Sequence, residues 1–139
     1  MTTDAPLSAP ASSRTAKLLA FAYVAFIVAV IVVADSGRYR ELFAFLDRIP
    51  FGDKVGHFCF MGTLAVVIHG AFPRLRARLL GPITTASALV ATLVSLEELS
   101  QVLFPTRSPD WFDLAADLTG IGLATALSSR LFRSAAARP

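Results

Sequence analysis

Two pairs of ionisable side chains are spaced four residues apart in this sequence. Asp53 and His57 form the first pair, and Asp113 and Asp117 form the second. Residues four apart lie on the same face of an α-helix, so each pair would present both side chains to one neighbour. A histidine beside carboxylates can act as an acid–base pair or contribute to a site for a hard or borderline divalent ion. The spacing therefore predicts a polar site where the two helices meet.

Other polar residues extend this candidate site, although they are scattered along the chain. The predicted site residues are Asp53, Lys54, His57, Glu98, Gln101, Arg107, Asp110, Asp113 and Asp117. We expect His57 and Arg107 to be the partners of Asp113 and Asp117. A divalent metal is the one cofactor that these groups could bind, with His57, Glu98 and Asp113 as candidate ligands. No catalytic nucleophile is evident, and no motif indicates a reaction class.

Several of these residues also have a purely structural interpretation. Ser108 suits a helix N-cap, with Pro109 at the first helical position and Asp110 in the first turn. Asp53 could likewise cap the helix that carries it. His69, near the other end of that helix, is expected to be an interfacial histidine without a role.

Four apolar runs would position the site. They comprise residues 18–34, 55–72, 79–96 and 114–129, and only the last contains a charged residue. Each run is 16 to 18 residues long, close to the roughly 17–25 residues of a membrane-spanning helix. The 139-residue chain is 17% charged and has a mean hydropathy of +0.62, whereas soluble domains are about 25% charged. The composition predicts an all-α membrane protein with a bundle of four transmembrane helices and no soluble catalytic domain.

The distribution of Lys and Arg predicts how this bundle is oriented. The N-terminal tail, the loop after the second run and the C-terminal end hold eight basic residues and one acid. The opposite side holds five basic and nine acidic residues. Because cytoplasmic loops carry the Lys and Arg excess, both termini are predicted to be cytoplasmic and the candidate site to lie at the outer face. The net charge of +3 is thereby explained by the lipid bilayer, without a nucleic-acid partner.

The remaining segments complete the predicted organisation. Residues 1–16 are expected to form a disordered cytoplasmic tail, residues 17–133 a single membrane domain and residues 134–139 a second cytoplasmic tail. The apolar spacing within residues 41–49 predicts a short interfacial helix in the first outer loop, with a plain aromatic-rich loop as the alternative. The first run could instead be a cleaved signal peptide, although its 17 residues exceed the roughly 7–15 of a signal h-region.

Three motifs resemble those of VanZ-like integral membrane proteins. Residues 53–58 (Asp-Lys-Val-Gly-His-Phe) match the family's DK-x-x-HF pattern, and residues 98–101 match its E-x-x-Q. Residues 105–113 match its P-x-R-x-x-D-x-x-D, and Gly120 matches its following glycine. The resemblance departs at Asp117, where the family commonly has asparagine. It implies a multi-pass protein of the bacterial cell (cytoplasmic) membrane and a link to tolerance of teicoplanin-type cell-wall antibiotics.

Three classes of function are compatible with these residues. The first is a non-enzymatic envelope protein whose acidic site binds an envelope lipid, a cell-wall precursor or a partner protein. The excess of acids disfavours a bare phosphate and favours an amine, a polyhydroxyl ligand or a bridging cation. The second is a small membrane enzyme that uses His57 and carboxylates as acid–base groups or metal ligands. The third is proton-coupled transport through Asp117 and His57, which lacks a polar path to the cytoplasmic face.

Overall fold

Four α-helices of 16 residues or more make up most of the part of the chain that the structure describes. A computed structural model describes residues 13–37, 41, 48–104 and 108–136, with side chains as far as residue 130. The helices are α1 (Ser13–Asp35), α2 (Gly52–Ala71), α3 (Thr85–Ser100) and α4 (Trp111–Ala136).

Short elements occupy the connections between these helices. A 3₁₀ helix (Pro73–Arg76) and a hairpin of strands β1 (Arg78–Leu80) and β2 (Ile83–Thr84) join α2 to α3. The two strands are antiparallel. A second 3₁₀ helix (Gln101–Leu103) follows α3. The described part of the chain is therefore helical apart from one small hairpin.

The directions of the helices determine which helix ends lie together. α1 runs antiparallel to α2, since Phe21 packs against Phe72 with ring centroids 6.2 Å apart and Phe26 packs against Phe60 at 5.9 Å. α3 also runs antiparallel to α2, because its first turn contacts the last turn of α2. α4 runs parallel to α2, because the first turns of both helices are in contact. The starts of α2 and α4 thus lie with the end of α3 at one end of the bundle.

The tightest helix pair is α2 with α4. A Cβ atom added at Gly120 would overlap the carbonyl oxygen of Phe58, and one added at Gly62 would lie 3.2 Å from the carbonyl oxygen of Gly120. Glycine allows membrane helices to approach this closely. The buried apolar core draws on all four helices and comprises Ile27, Met61, Ala65, Val90, Val94, Ile121 and Ala124.

Three segments are long and apolar enough to cross a membrane. They are α1, α2 and residues 85–103, which include α3. In α1 only 11% of this apolar window is buried inside the described part of the protein, so most of its residues are at least partly exposed, as in a lipid-facing helix. Among the described residues, α4 does not meet the same hydropathy criterion. These findings support a membrane protein with three candidate spans, and a fourth span stays a prediction.

The hairpin corrects the predicted start of the third span. The apolar run 79–96 predicts a helix from its first residue, but α3 begins only after the hairpin. Gly81 has a φ of +52°, which glycine adopts at little cost, and Pro82 completes the turn. Thr84 then caps α3, since its Oγ1 accepts a hydrogen bond from the Ser87 backbone N–H at 3.2 Å while Ser87 Oγ accepts one from the Thr84 N–H at 2.9 Å. The predicted start was wrong because hydropathy does not distinguish an apolar hairpin from a helix.

The first and last helices extend into the predicted tails, while the predicted domain boundaries themselves stay predictions. α1 begins at Ser13, within the segment 1–16 that was predicted to be disordered, and α4 continues to Ala136, beyond the predicted end of the domain at residue 133. The predicted interfacial helix over residues 41–49 lies largely outside the described residues, because residues 42–47 are not among them.

Candidate functional site

The first turn of α2 supplies an ammonium group that is surrounded by carboxylates. Lys54 Nζ lies 2.6 Å from Asp53 Oδ2, 2.7 Å from Asp110 Oδ2 and 2.9 Å from Asp113 Oδ1. The first two contacts are hydrogen bonds, and the third is an ion pair between a buried oxygen and the same ammonium. Charge-assisted contacts of this kind are stronger than neutral hydrogen bonds. Lys54 therefore joins the start of α2 to the start of α4.

Asp110 positions the start of α4. Its Oδ1 accepts a hydrogen bond from the Phe112 backbone N–H at 2.8 Å, and its carbonyl oxygen accepts one from the Asp113 N–H at 3.0 Å. Asp110 is thus the N-cap, and the prediction of Ser108 in that role was wrong because α4 begins two positions later than Pro109 allows. The ammonium of Lys54, together with the Phe112 N–H, holds the pKa of the Asp110 carboxyl below its usual range.

The start of α2 corrects a second capping prediction. The residue before α2 is Phe51, which has a φ of 58° and provides no side-chain cap. Asp53 lies inside the helix, where its Oδ1 accepts a hydrogen bond from the Lys54 backbone N–H at 2.9 Å. The interpretation of Asp53 as a cap was therefore wrong. Its carboxylate accepts hydrogen bonds from the backbone and the ammonium of Lys54 instead.

The end of α3 contributes a buried carboxylate. Glu98 is only 1% exposed. Its Oε1 accepts a hydrogen bond from the Asp110 backbone N–H at 2.5 Å, and its Oε2 accepts one from Gln101 Nε2 at 3.1 Å. Since a buried carboxylate is costly unless it is hydrogen-bonded, these two donors explain how Glu98 is tolerated. Glu98 thereby fastens the end of α3 to the start of α4.

His57 lies between two carboxylates of α4. Its Nδ1 is 3.1 Å from Asp117 Oδ2, and its Nε2 is 3.8 Å from Asp113 Oδ2. A carboxylate oxygen accepts hydrogen bonds, so Nδ1 carries a proton and donates a hydrogen bond to Asp117. Asp117 is 1% exposed, and His57, one of the two partners expected for the acids of α4, contacts it.

Eight of the nine predicted site residues converge at this end of the bundle. We call them the acidic cluster: Asp53, Lys54, His57, Glu98, Gln101, Asp110, Asp113 and Asp117. The ninth residue, Arg107, lies outside the described residues. The prediction of partners was incomplete, because Lys54 is the main ionic partner of Asp113 and His57 contacts both acids of α4.

One group of described residues in the cluster has the geometry of a metal site. Ligand oxygens of Asp53, Asp110 and Asp113 lie within 4.8 Å of one another. The predicted ligand set of His57, Glu98 and Asp113 shares only Asp113 with this group. The ammonium of Lys54 contacts all three carboxylates, so it already supplies the positive charge that a bound cation would bring.

A second polar arrangement at the opposite end was missed by the sequence analysis. His69 is 1% exposed; its Nδ1 lies 2.9 Å from the carbonyl oxygen of Ala65, and its Nε2 lies 2.9 Å from Thr84 Oγ1. Because a carbonyl only accepts, Nδ1 carries the proton and Nε2 accepts from the Thr84 hydroxyl. The expectation of an interfacial histidine was wrong, since His69 is buried and its hydrogen bonds join the end of α2 to the start of α3. The threonine–serine spacing of the capping box was the signal that could have located Thr84.

Comparisons of the chain with protein-family models, curated proteins and solved structures find no match. The interpretation of the acidic cluster therefore depends on its geometry and on the motif resemblance.

Proposed function

We propose that this chain is a VanZ-like multi-pass protein of the bacterial cytoplasmic membrane whose acidic cluster faces outward and binds an envelope ligand through a positively charged amine. The observation that carries the proposal is the surroundings of Lys54. Three carboxylates from two helices contact one ammonium at 2.6 to 2.9 Å. The cluster is thus built to accept the donors of an ammonium group.

The charge of the cluster supports a cationic ligand. With Glu97, which accepts a hydrogen bond from Gln101 Nε2 at 3.2 Å, the described residues of the cluster region comprise six carboxyl groups against Lys54 and His57. A cleft with an excess of one charge sign concentrates ligands of the opposite sign. A bare phosphate would be repelled, whereas an amine would be attracted.

The exposure of the individual carboxylates indicates where such an amine would bind. The side chains of Asp53 and Asp110 are 48% and 38% exposed, whereas that of Asp117 is 1% exposed. Each carboxylate offers about four acceptor positions, more than Lys54 and the backbone N–H groups use at Asp53 and Asp110. These two acids form the exposed side of the site, and Asp117 and Glu98 form its buried side.

An amine is a common group on the outer side of a bacterial membrane, where it occurs in lipid headgroups and in cell-wall precursors. Binding of either would fit the link to teicoplanin-type tolerance that the motif resemblance implies. The proposal includes no reaction, since the acidic cluster contains no hydroxyl or thiol nucleophile among its described residues.

The binding test uses the purified full chain in detergent. Ethanolamine, which has a free amine and no phosphate, should raise the unfolding temperature, and N-acetylethanolamine should not. Asp53→Asn combined with Asp110→Asn should abolish the shift, while Glu41→Gln, at an exposed acid outside the cluster, should retain it. Equal shifts from the free and the acetylated compound would contradict an amine site.

A cellular test addresses the link to the envelope. A deletion strain rescued by the wild-type gene should tolerate more teicoplanin than one rescued by Asp113→Asn or His57→Ala. Membrane levels of each variant are measured by immunoblotting, so that loss of insertion is separated from loss of function. Variants that insert and rescue as well as wild type would reduce the cluster to a structural role.

The His57–Asp117 pair favours a second candidate function, a small membrane enzyme. A buried carboxylate that orients a histidine through Nδ1 leaves Nε2 available for proton transfer, and here Nε2 faces the half-buried Asp113. Such an enzyme would lose activity on Asp117→Asn as well as on His57→Ala. The binding protein would tolerate Asp117→Asn, so rescue by that variant distinguishes the two candidates. Stoichiometric metal in purified protein, lost on His57→Ala, would favour the enzyme.

A further inference from the structure

The end of the bundle opposite the acidic cluster contains a cavity of about 160 Å³. Its lining residues come from the hairpin and from α4 and are Arg78, Pro82, Ala126, Ser129 and Arg130. No residue of the acidic cluster lines it. It is therefore a separate candidate site, to which the proposed function assigns nothing.

The lining residues suit a phosphate group. Arg78 and Arg130 present planar guanidinium groups, which bind phosphate oxygens through paired N–H donors. Ser129 adds a hydroxyl, and Pro82 with Ala126 provides an apolar wall. Arginines from two different elements line the same cavity, so a phosphate placed there would have both side chains beside it.

The charge around the cavity is also positive. Arg74 and Arg76 precede the hairpin in the chain, and the nearest described acid along α4, Asp117, is about 18 Å from Ser129 at the rise of an α-helix. The acidic cluster at the other end therefore does little to offset this charge, because exposed charges are screened beyond about 8–10 Å at physiological ionic strength.

The hairpin beside the cavity indicates that the phosphate belongs to a lipid. Leu79, Leu80 and Ile83 are 56%, 75% and 47% exposed. An apolar hairpin tip flanked by arginines is typical of a segment at the membrane interface. Basic pockets between membrane helices on the cytoplasmic side bind anionic headgroups, and the Lys and Arg excess predicts that this end is cytoplasmic.

We propose that the cavity between the hairpin and α4 binds the phosphate of an anionic phospholipid, with Arg78 and Arg130 as its ligands and the hairpin leucines beside the acyl chains.

The test measures binding of short-chain phosphatidylglycerol to the purified full chain in a non-ionic detergent, by thermal shift over a concentration series. Wild type should bind phosphatidylglycerol at least tenfold more tightly than phosphatidylcholine. The double variant Arg78→Gln, Arg130→Gln should lose that preference. Arg74→Gln, which removes an exposed arginine that does not line the cavity, should bind within twofold of wild type.

Two further arms make the result decisive. Arg78→Lys with Arg130→Lys keeps the charge but loses the paired donors, so it should bind with intermediate affinity if unliganded unfolding temperatures match wild type. Inorganic phosphate tests the source of the phosphate and should shift the unfolding temperature far less than the lipid. Equal affinity of the glutamine variant, or of phosphatidylcholine for wild type, would overturn the site, and equal effects of inorganic phosphate would overturn the lipid as occupant.

Discussion

Asp117 shows how one side chain can be both buried and ionisable in this fold. Its carboxylate accepts a hydrogen bond from His57 Nδ1 at 3.1 Å, deep between α2 and α4. The motif resemblance implies asparagine at this position, and the side-chain oxygen of asparagine would accept the same hydrogen bond. What position 117 supplies in this structure is a hydrogen-bond acceptor for His57 Nδ1.

Substitutions at Asp117 should separate these properties. Asp117→Asn keeps an oxygen acceptor, so its unfolding temperature in detergent should stay close to that of wild type. Asp117→Leu leaves the His57 donor unsatisfied, which costs about 1–3 kcal/mol and should lower the unfolding temperature by several degrees. Circular dichroism on heating checks both variants. Equal stability of the leucine and asparagine variants would show that this hydrogen bond contributes nothing to folding.

Lys54 should determine whether the cluster binds metal. Lys54→Met removes the ammonium from the centre of three carboxylates, so the free energy of unfolding should fall. Calcium ions prefer clustered carboxylate oxygens and should restore stability to this variant while leaving wild type unchanged. Thermal unfolding with and without millimolar CaCl₂ measures the effect. Lys17→Met, at an exposed lysine of α1, is the matched control, and a calcium response in wild type equal to that of Lys54→Met would contradict the prediction.

The Asp110 carboxyl group should make the stability of the protein depend on pH in a defined direction. Its folded-state pKa is lowered by Lys54, so the stabilisation is complete above the unfolded-state pKa of about 3.9 and is lost as the pH falls through the folded-state pKa. Unfolding temperatures measured between pH 6 and pH 2.5 should therefore decline most steeply below about pH 4.

The matched variant for this titration is Asp110→Asn. Asparagine caps helices as well as aspartate does but does not titrate, so this variant should be less stable near neutral pH and should lose less stability in acid. A pH profile parallel to that of wild type would assign the acid sensitivity to other carboxyl groups.

At the scale of the elements, the contact between α2 and α4 holds the cluster together. Lys54, His57 and their acidic partners meet only because Gly120 lets α4 lie against the backbone of Phe58. A close helix contact one turn below the cluster thus sets the distances within it.

Adding one methyl group at this contact should disturb the cluster from a distance. Gly120→Ala places a Cβ against the carbonyl oxygen of Phe58, and overpacking of this kind costs about 1–3 kcal/mol. Gly122→Ala, on the same helix with nothing within 4 Å of the new Cβ, should be neutral or slightly stabilising. Thermal unfolding of both variants tests this, and equal stabilities would contradict the close contact.

The elements also show what the sequence could and could not predict. Hydropathy located α1 and α2 well because their apolar runs lack charged residues. Charged residues in the segments on either side mark where these runs end. It misplaced the start of α3 because Leu79, Leu80 and Ile83 are as apolar in a hairpin as in a helix. The hydrogen bond between His69 and Thr84 could not be predicted, since it depends on how the ends of two helices meet.

At the scale of the whole molecule, the alternation of helix directions brings the acidic cluster together. Residues as distant in the chain as Lys54 and Asp110 are in contact, as the four-helix topology predicts. The convergence of the cluster was therefore predictable from topology, whereas the pairing within it depends on side-chain geometry. The side of the membrane on which the cluster lies stays a prediction from the charge distribution.

Cysteine labelling can determine that side. In a Cys59→Ser background, which removes the single cysteine, Ser108→Cys marks the end with the acidic cluster and Arg74→Cys marks the opposite end; both positions are exposed. A membrane-impermeant maleimide should label Ser108→Cys in intact cells and Arg74→Cys only after permeabilisation. The reverse pattern would place the acidic cluster in the cytoplasm and contradict the proposed envelope ligand.

Polar contacts anchor α3 to its neighbours at both ends, and their positions bear on how α3 would lie in a membrane. Thr84 binds His69 at one end of α3, and Glu98 binds the start of α4 at the other. At 1.5 Å per residue these anchors are about 21 Å apart, less than the roughly 30 Å of hydrocarbon in a typical membrane. The candidate span continues past Glu98 to residue 103, so the Glu98 anchor would lie inside the span and not at its end. Its hydrogen bond to the start of α4 would then be shielded from water, and a hydrogen bond is electrostatically stronger in such surroundings than in water.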